Sequence, residues 1–362
     1  MTTTGLDEVI DGRVERIVPL MSPMRLLDEL PLPPAQAGSV VDGRRQVAGV
    51  LAGTDRRLLV VVGPCSVHDP AAALVYADRL RAQAERFAED LLVVMRVYFE
   101  KPRSTTGWKG LINDPALDGT GDMTTGLRTA RALLLEITGR GLPAGVEFLE
   151  PLTARYLADT VSWGAIGART VESQVHRQLA SGLSMPVGMK NCPDGRVGPA
   201  VDAITTAAAP HVMPGIDDSG APAILHTTGN PDCHLVLRGG GGRPNHGPAE
   251  VSAALAALRA AGRRGRLLID CSHGNSGKDH LRQPLVAEEV AAQVEAGQRG
   301  IAGVMLESFL VPGRQDPLPR RPLTFGQSVT DACMGWDTTV DVLSRLALAS
   351  LKTRAKRTGW DG

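Results

Sequence analysis

The chain carries two groups of side chains that could do chemistry together. The first is cationic: Arg96, Lys101, Arg103, Arg169, Lys190 and Arg238 stand at or just after short apolar runs, and four glycines, Gly239 to Gly242, follow Arg238. Arginine grips phosphate or carboxylate oxygens in a two-pronged fork, lysine supplies a point charge, and glycines let backbone N–H groups approach an anion closely. Any one of these cations alone reads as a solvated rim residue or half of an ion pair. Six at equivalent positions read as a built site for one or two small phosphates. The second group is Cys65, His273, Glu307 and Asp331. A thiolate, an imidazole and two carboxylates form a mixed donor set that suits Mn, Fe, Co, Zn or Cu and selects none of them. No compact motif such as H-E-x-x-H joins the four. A buried free thiol, a core histidine and carboxylates paired to nearby cations are the other readings.

Such scattered residues act together only if regular elements bring them to one mouth. Eight apolar runs recur from residue 58 onward: 58–63, 91–97, 144–150, 163–169, 185–191, 234–239, 266–271 and 303–308. They are too short for helices and rich in β-branched residues, which predicts buried parallel strands. Helical spacing fills the gaps. Asp69 and Pro70 form a cap and first-turn pair ahead of Leu74, Ala77, Leu80, Ala84 and Phe87; Val251, Leu255 and Leu258 share a face before Gly262, as do Val286, Val290 and Val294 before Gly297. Eight such units predict a (β/α)8 TIM barrel, with an open doubly wound sheet as the rival. In a barrel the working residues cluster at the C-terminal ends of the strands, where the two groups above fall. Residues 1–50, with the breaker LPLPPAQAG at 30–38, read as an irregular N-terminal extension laid on a catalytic barrel of 51–362. Residues 211–227 read as a hairpin around Asp218-Ser219-Gly220, inserted between the fifth and sixth strands.

The bulk numbers narrow the class. With 362 residues and 43% hydrophobic content the chain can bury one large core, and 3% aromatics leave that core to Val, Leu, Ile and Ala. Lys+Arg 39 balances Asp+Glu 39, so no global field draws nucleic acid or a membrane surface. The first twenty residues lack a basic start and an apolar stretch, which argues against a signal peptide. Five cysteines, an odd number without C-x-x-C, suit reduced thiols in a cytoplasmic protein.

At its chemistry-bearing residues the chain resembles the type I 3-deoxy-D-arabino-heptulosonate 7-phosphate (DAHP) synthases, in the feedback-regulated bacterial and yeast branch. The matching blocks are GPCSVHDP (63–70), MRVYFEKPRSTTGWKGLINDP (95–115), SWGAIGARTVESQVHRQLASGLSMPVGMKN (162–191), CHLVLRGG (233–240), SHGNSGKDH (272–280), GVMLESFL (303–310) and SVTDACMGWDTT (328–339). The resemblance implies a barrel that condenses phosphoenolpyruvate with erythrose 4-phosphate, the first step of the shikimate pathway to aromatic amino acids. It places Cys65, His273, Glu307 and Asp331 on the ligands of one divalent metal ion, and Arg96, Lys101, Arg169, Lys190 and Arg238 on the phosphoenolpyruvate contacts. Arg103 and Ser104 fall on the loop that holds the sugar phosphate, with Ser where the family usually has Thr. It also implies a homodimer or homotetramer, with that loop and the N-terminal extension braced by a neighbouring subunit.

Lys101, between the two phosphate sites, is the expected handler of protons near the aldehyde, and Cys65 and His273 join it as expected catalytic groups. Two rival functions differ in class from this one or in substrate. One is a condensing enzyme for a longer phosphosugar, disfavoured by KPRSTTGWKG (101–110); the other is a silent barrel serving as a partner, disfavoured because every expected ligand and cation is present. Inhibitor control is expected at Leu179, Leu183, Ser184, Met213 and Gly215. There Gly215 replaces the serine of the phenylalanine-sensitive pattern, which is expected to leave space for a tyrosine ring. Pro214 is expected to loosen the hairpin by withdrawing a backbone donor.

Overall fold

A computed structural model describes residues 12–317 and 322–358, with side chains through residue 354. Residues 1–11, the start of the expected N-terminal extension, lie outside the described residues, as do 318–321 and 359–362. Each of the eight apolar runs contributes one barrel strand. These are β1 (Leu58–Gly63), β2 (Leu91–Arg96), β3 (Ala144–Glu147), β4 (Trp163–Ile166), β5 (Val187–Lys190), β8 (His234–Leu237), β9 (Leu267–Asp270) and β10 (Ile301–Glu307). They close in the order β1-β10-β9-β8-β5-β4-β3-β2, every pair parallel, so the open-sheet alternative is excluded. Several runs end as strands one to three residues earlier than their apolar stretch, because the chain there turns into the loops of the mouth.

Alternation sorts the side chains into two cores. Val60 and Val62 face outward into the main cluster, against Tyr76, Ala77 and Leu80 of the helix Pro70–Arg86. Leu59, Val61, Leu92, Val94, Trp163, Val236 and Leu268 face inward and fill the barrel axis. Asp69 caps the helix as its spacing predicts, its side chain accepting from the Ala72 amide at 3.1 Å.

The N-terminal stretch is not irregular. It forms α1 (Pro23–Glu29) and α2 (Pro34–Ala52), and α2 runs through residue 50. Pro33 and Pro34, which look like breakers, occupy the cap and the first turn, where a missing N–H costs nothing. Val47, Val50 and Leu51 of α2 join the inner cluster and plug one end of the barrel. Gly43 lies on the packed face: a Cβ there would come 2.7 Å from Ser162 Oγ. Such small residues at the contact weaken the apolar pattern that would have revealed the helix.

Residues 212–226 form the inserted hairpin, β6 (Val212–Ile216) against β7 (Pro222–His226), between β5 and β8. Backbone bonds at Asp217–Ala221 and Thr227–His211 place the hydrogen-bonded pairs at odd-numbered positions of β6. Pro214, opposite Ile224, therefore sits in a pair whose N–H would point away from the partner. The expectation of a loosened hairpin is corrected, because the proline removes no ladder bond. Among the described residues no helix is long and apolar enough to cross a membrane, and all five cysteines are free and buried.

Candidate active site

The strand ends meet in a cavity of about 230 Å³. Its lining includes Arg96, Lys101, Arg103, Ser104, Arg169, Lys190, Arg238, His273 and Asp331, so residues far apart in the chain share one mouth. Backbones approach closely there. Gly63, at the end of β1, leaves a Cβ no room, since one would stand 2.3 Å from the Arg96 carbonyl. At Gly239 a Cβ would meet the Gly274 carbonyl carbon at 2.5 Å, so the loops after β8 and β9 pack backbone to backbone.

Beneath the cavity, Cys65, Glu307 and Asp331 bring one donor atom each within 4.8 Å of one another. Cys65 and Glu307 follow from the pairing of β1 with β10, whose register sets Gly63 beside Glu307. Asp331 arrives differently. It follows β12 (Gln327–Ser328), which pairs with β11 (Val311–Arg314), and the Cys333 and Met334 amides then bond back to Gly313 and Glu307. His273 stands just outside this trio. Its Nε2 lies 3.6 Å from Glu307 Oε1, while its Nδ1 lies 2.8 Å from an Asp270 carboxylate oxygen. Ser272 Oγ lies 2.7 Å from Nδ1 and donates in turn to Asp270, so a proton held on Nδ1 by this relay leaves the Nε2 lone pair facing the donors, a carboxylate-linked support of the kind found behind metal-binding histidines. The backbone of His273 is left-handed, φ 52°, an outlier of the kind that marks functional sites.

Lys101 ties the two groups together. Its ammonium donates to Cys65 Sγ and to Asp331 Oδ2, each at 2.9 Å. Burial alone would pull this ammonium down, but Cys65, Glu307 and Asp331 outweigh it and hold Lys101 above the ordinary lysine range. It is therefore a proton donor in this state. Burial also opposes ionisation of Asp331, yet Lys101 beside it keeps its carboxyl well below the usual range. The Cys65 thiol is pushed up by burial and then by Glu307. Three acidic donors converging, two of them buried, with a lysine ammonium between two of them, fit a divalent cation. Cys65, Glu307 and Asp331, with His273 beside them, are the residues that would hold it.

The anion site has its own internal pairs. Lys190 donates to Glu147 at 2.5 Å, both buried, and this pair holds Glu147 low against the cost of its burial. Arg96 donates to Glu307 at 3.0 Å and to the carbonyls of Pro64 and Cys65, so it positions the donor trio as well as lining the cavity. Tyr98 forms the floor, its ring centroid 3.6 Å from the Arg96 guanidinium and 5.1 Å from the Lys190 ammonium. At the mouth, Arg169 donates to Ser104 Oγ at 3.2 and 3.1 Å, and Arg103 donates to the Trp108 carbonyl. Ser104 thus joins the 101–107 loop to the loop after β4.

Sequence reading passed over several lining residues. Glu147 ends β3, where a lone carboxylate carries no signal until Lys190 lies beside it, and Lys278 lies inside SHGNSGKDH, where no spacing marks it. Three asparagines behind the mouth have no reading of their own in the sequence, although Asn191 and Asn275 fall inside matching blocks. Asn191 Oδ1 accepts from the Arg238 amide, Asn245 Oδ1 from the Gly239 amide, and Asn275 Nδ2 donates to the Leu237 and Asp270 carbonyls. They clamp the ends of β5, β8 and β9 in register.

A second cavity, of about 620 Å³, opens between the hairpin and the helix Gln174–Gly182. Leu179, Leu183, Ser184 and Met213 line it as expected; Gly215 does not. A Cβ at Gly215 would meet Leu225 Cδ1 at 2.6 Å, so the neighbouring strand's own leucine takes that volume. The expected space for a larger ring at Gly215 is thereby corrected.

Fold and site together define a (β/α)8-barrel enzyme for small anionic substrates, with a metal-donor cluster under its anion cavity. Residues 34–344 match the DAHP synthetase I family. The chain is 53% identical over 95% of its length to the phospho-2-dehydro-3-deoxyheptonate aldolase of Corynebacterium glutamicum, covering 95% of that protein. It is 52% identical to the Tyr-sensitive phospho-2-dehydro-3-deoxyheptonate aldolase of Escherichia coli K12, over 90% of this chain and 91% of that one. The solved structure of the Francisella tularensis phospho-2-dehydro-3-deoxyheptonate aldolase superposes with a TM-score of 0.92 at 47% identity, covering 94% of this chain and 99% of that one. The chain belongs to the DAHP synthetase I family.

A thiolate ligand makes a definite prediction. Cys65→Ala should bind a divalent transition ion roughly tenfold or more weakly in a calorimetric titration, with the helical content intact by circular dichroism. Because the thiol is held protonated by burial, ion binding should release a proton and weaken as pH falls. Equal affinity in the variant would remove Cys65 from the ligand set.

Proposed function

We propose that this protein condenses phosphoenolpyruvate with erythrose 4-phosphate and water, giving DAHP and inorganic phosphate. The observation that carries the reading is one cavity lined by Lys190, Arg238, Arg169, Lys101 and Asp331, whose Lys101 also reaches Cys65 in the donor trio beneath it. Phosphoenolpyruvate brings a carboxylate and a phosphate to a cavity lined by cations. Lys190, Arg169 and Arg238 are the groups to hold it, with Arg96 and Tyr98 beneath. Arg103 and Ser104 are the groups to take the sugar phosphate at the mouth, which directs the aldehyde inward to Lys101.

C3 of the enol ester is a weak nucleophile. A divalent ion of the Mn, Fe, Co or Zn kind at Cys65, His273, Glu307 and Asp331 would supply Lewis acidity to the aldehyde oxygen. Lys101, protonated and directly above these donors, is placed to deliver a proton to that oxygen as the new C–C bond forms. Water then adds at C2 and phosphate leaves by C–O cleavage. Much of the rate would come from holding two anions together in preorganised geometry.

Consumption of phosphoenolpyruvate with erythrose 4-phosphate, before and after chelation, tests the reading; turnover that survives metal removal would refute the metal assignment. Within that assay, Arg238→Ala should raise KM for phosphoenolpyruvate about tenfold or more, the loss expected when a charged hydrogen-bonding group is removed. Arg103→Ala should instead raise KM for the sugar phosphate. An unchanged sugar-phosphate dependence would detach Arg103 from that subsite.

The N-terminal segment supports an assembly of at least two chains. Val14, Ile17 and Val18 are 50%, 78% and 68% exposed in a stretch without helix or strand, an apolar strip that a second copy would cover. A light-scattering mass of one chain at micromolar concentration would contradict this.

The hairpin cavity is the proposed seat of feedback inhibition, with tyrosine favoured over phenylalanine. Since Leu225 closes the space at Gly215, the preference would rest on polar groups of the lining, Ser184, His226 and the Arg155–Asp218 pair, which can meet a phenol hydroxyl. Titration with each aromatic amino acid should show tyrosine inhibiting at about tenfold lower concentration than phenylalanine, the worth of one polar partner. Strong inhibition by low micromolar phenylalanine would overturn it.

A further inference from the structure

Lys278 belongs to the cavity but to none of the roles assigned above. It lines the mouth together with Arg103, Ser104, His273 and Asp331. Among the described residues it has no ion pair, whereas Lys101 and Lys190 each hold a carboxylate within 3 Å. Its ammonium acts on Asp331 through space but is in contact with no carboxylate among those residues, so its hydrogen-bonding positions are open to an anion.

Its backbone is equally telling. Lys278 has φ 63°, a left-handed conformation that residues with a Cβ seldom adopt and glycine adopts freely. The chain holds it there through a hydrogen bond from the Lys278 amide to the His273 carbonyl at 2.6 Å. His273 itself has φ 52° and Gly277 φ 64°, so one strained turn presents both the imidazole and the ammonium to the same cavity. A glycine would suit the turn better at position 278. What a glycine lacks is the cation.

We propose that Lys278 is a second binding residue for the phosphate of the sugar substrate, facing Arg103 across the mouth. The inference rests on the proposed condensation and names a group that binds its second substrate. The buried cations Arg96 and Lys190 lie deep, while Lys278, Arg103 and Ser104 are exposed at the rim. A four-carbon aldehyde that reaches Lys101 with its carbonyl carries its phosphate back toward that rim. Two cations on opposite loops would then grip it, Arg103 by its fork and Lys278 by its point charge.

The test uses the metal-loaded full chain and three variants, Lys278→Ala, Lys278→Gly and Lys278→Arg. Lys278→Ala and Lys278→Gly should raise KM for erythrose 4-phosphate about tenfold or more, while KM for phosphoenolpyruvate stays within about twofold. With unphosphorylated erythrose the same variants should match wild type, because the lost partner is the phosphate. Lys278→Arg should recover most of the sugar-phosphate affinity. Lys278→Gly should also melt no lower than wild type, since it relieves the left-handed strain, which separates loss of binding from loss of fold. Unchanged KM for the sugar phosphate, an equal rise for phosphoenolpyruvate, or an equal penalty on unphosphorylated erythrose would each overturn the proposal. Wild-type turnover is the control: its absence would overturn the condensation itself, and with it this inference, whereas normal wild-type turnover with indifferent variants would overturn only the role of Lys278.

Discussion

Acidic donors from Cys65, Glu307 and Asp331 converge within 4.8 Å, the first two buried and the third at the cavity wall, and that crowding constrains everything around it. Two like charges about 4 Å apart repel by roughly 4 kcal/mol at an effective dielectric near 20, so the cluster must be offset by positive charge. Arg96 and Lys101 supply it, one from β2 and one from the loop that follows. The adjacency of β1 and β10 in the closed barrel brings Cys65 to Glu307. The small β11–β12 annex brings Asp331 from outside the barrel. A cation that sits among these donors also stands at the inner end of the substrate cavity, which is how one lysine comes to serve both.

The same logic organises the anion site. A buried lysine without a partner would lose its proton or its place, and Glu147 prevents both for Lys190. Phosphate or carboxylate oxygens can take over such an ammonium without leaving it bare at any stage. The aromatic face of Tyr98 under Arg96 and Lys190 adds attraction that does not compete with the substrate for hydrogen bonds. At the rim the cations are exposed, where water screens them and an arriving anion displaces little.

The hairpin is built on the same scaffold. It is inserted between β5, which ends in Lys190, and β8, which leads into Arg238. Its root is fixed by Asn230, whose Nδ2 donates to the carbonyls of Ala180, Leu183 and Met185, and by the Ser181–Thr227 hydroxyl contact. The second cavity therefore shares its walls with the segment that enters β5.

Much of this was legible in the residues. Eight apolar runs separated by helical spacing narrowed the fold to a barrel or an open doubly wound sheet, because a strand buried on both faces must be apolar throughout; closure of the strand order excluded the second. Reactive residues at the ends of those runs, from Cys65 to Glu307, then marked the mouth. Other features depended on the tertiary structure. The helix Pro34–Ala52 was hidden because small residues let it pack closely, and small residues carry little apolar pattern. The meeting of Lys101 with Cys65 and Asp331, from parts of the chain hundreds of residues apart, is a product of closure and of the annex. The space expected at Gly215 is taken by Leu225 on the opposing strand, a fact of register that composition does not contain. Residue types set which chemistry was available. Only the packed chain decided which charges were already paired, and so which were left for a substrate.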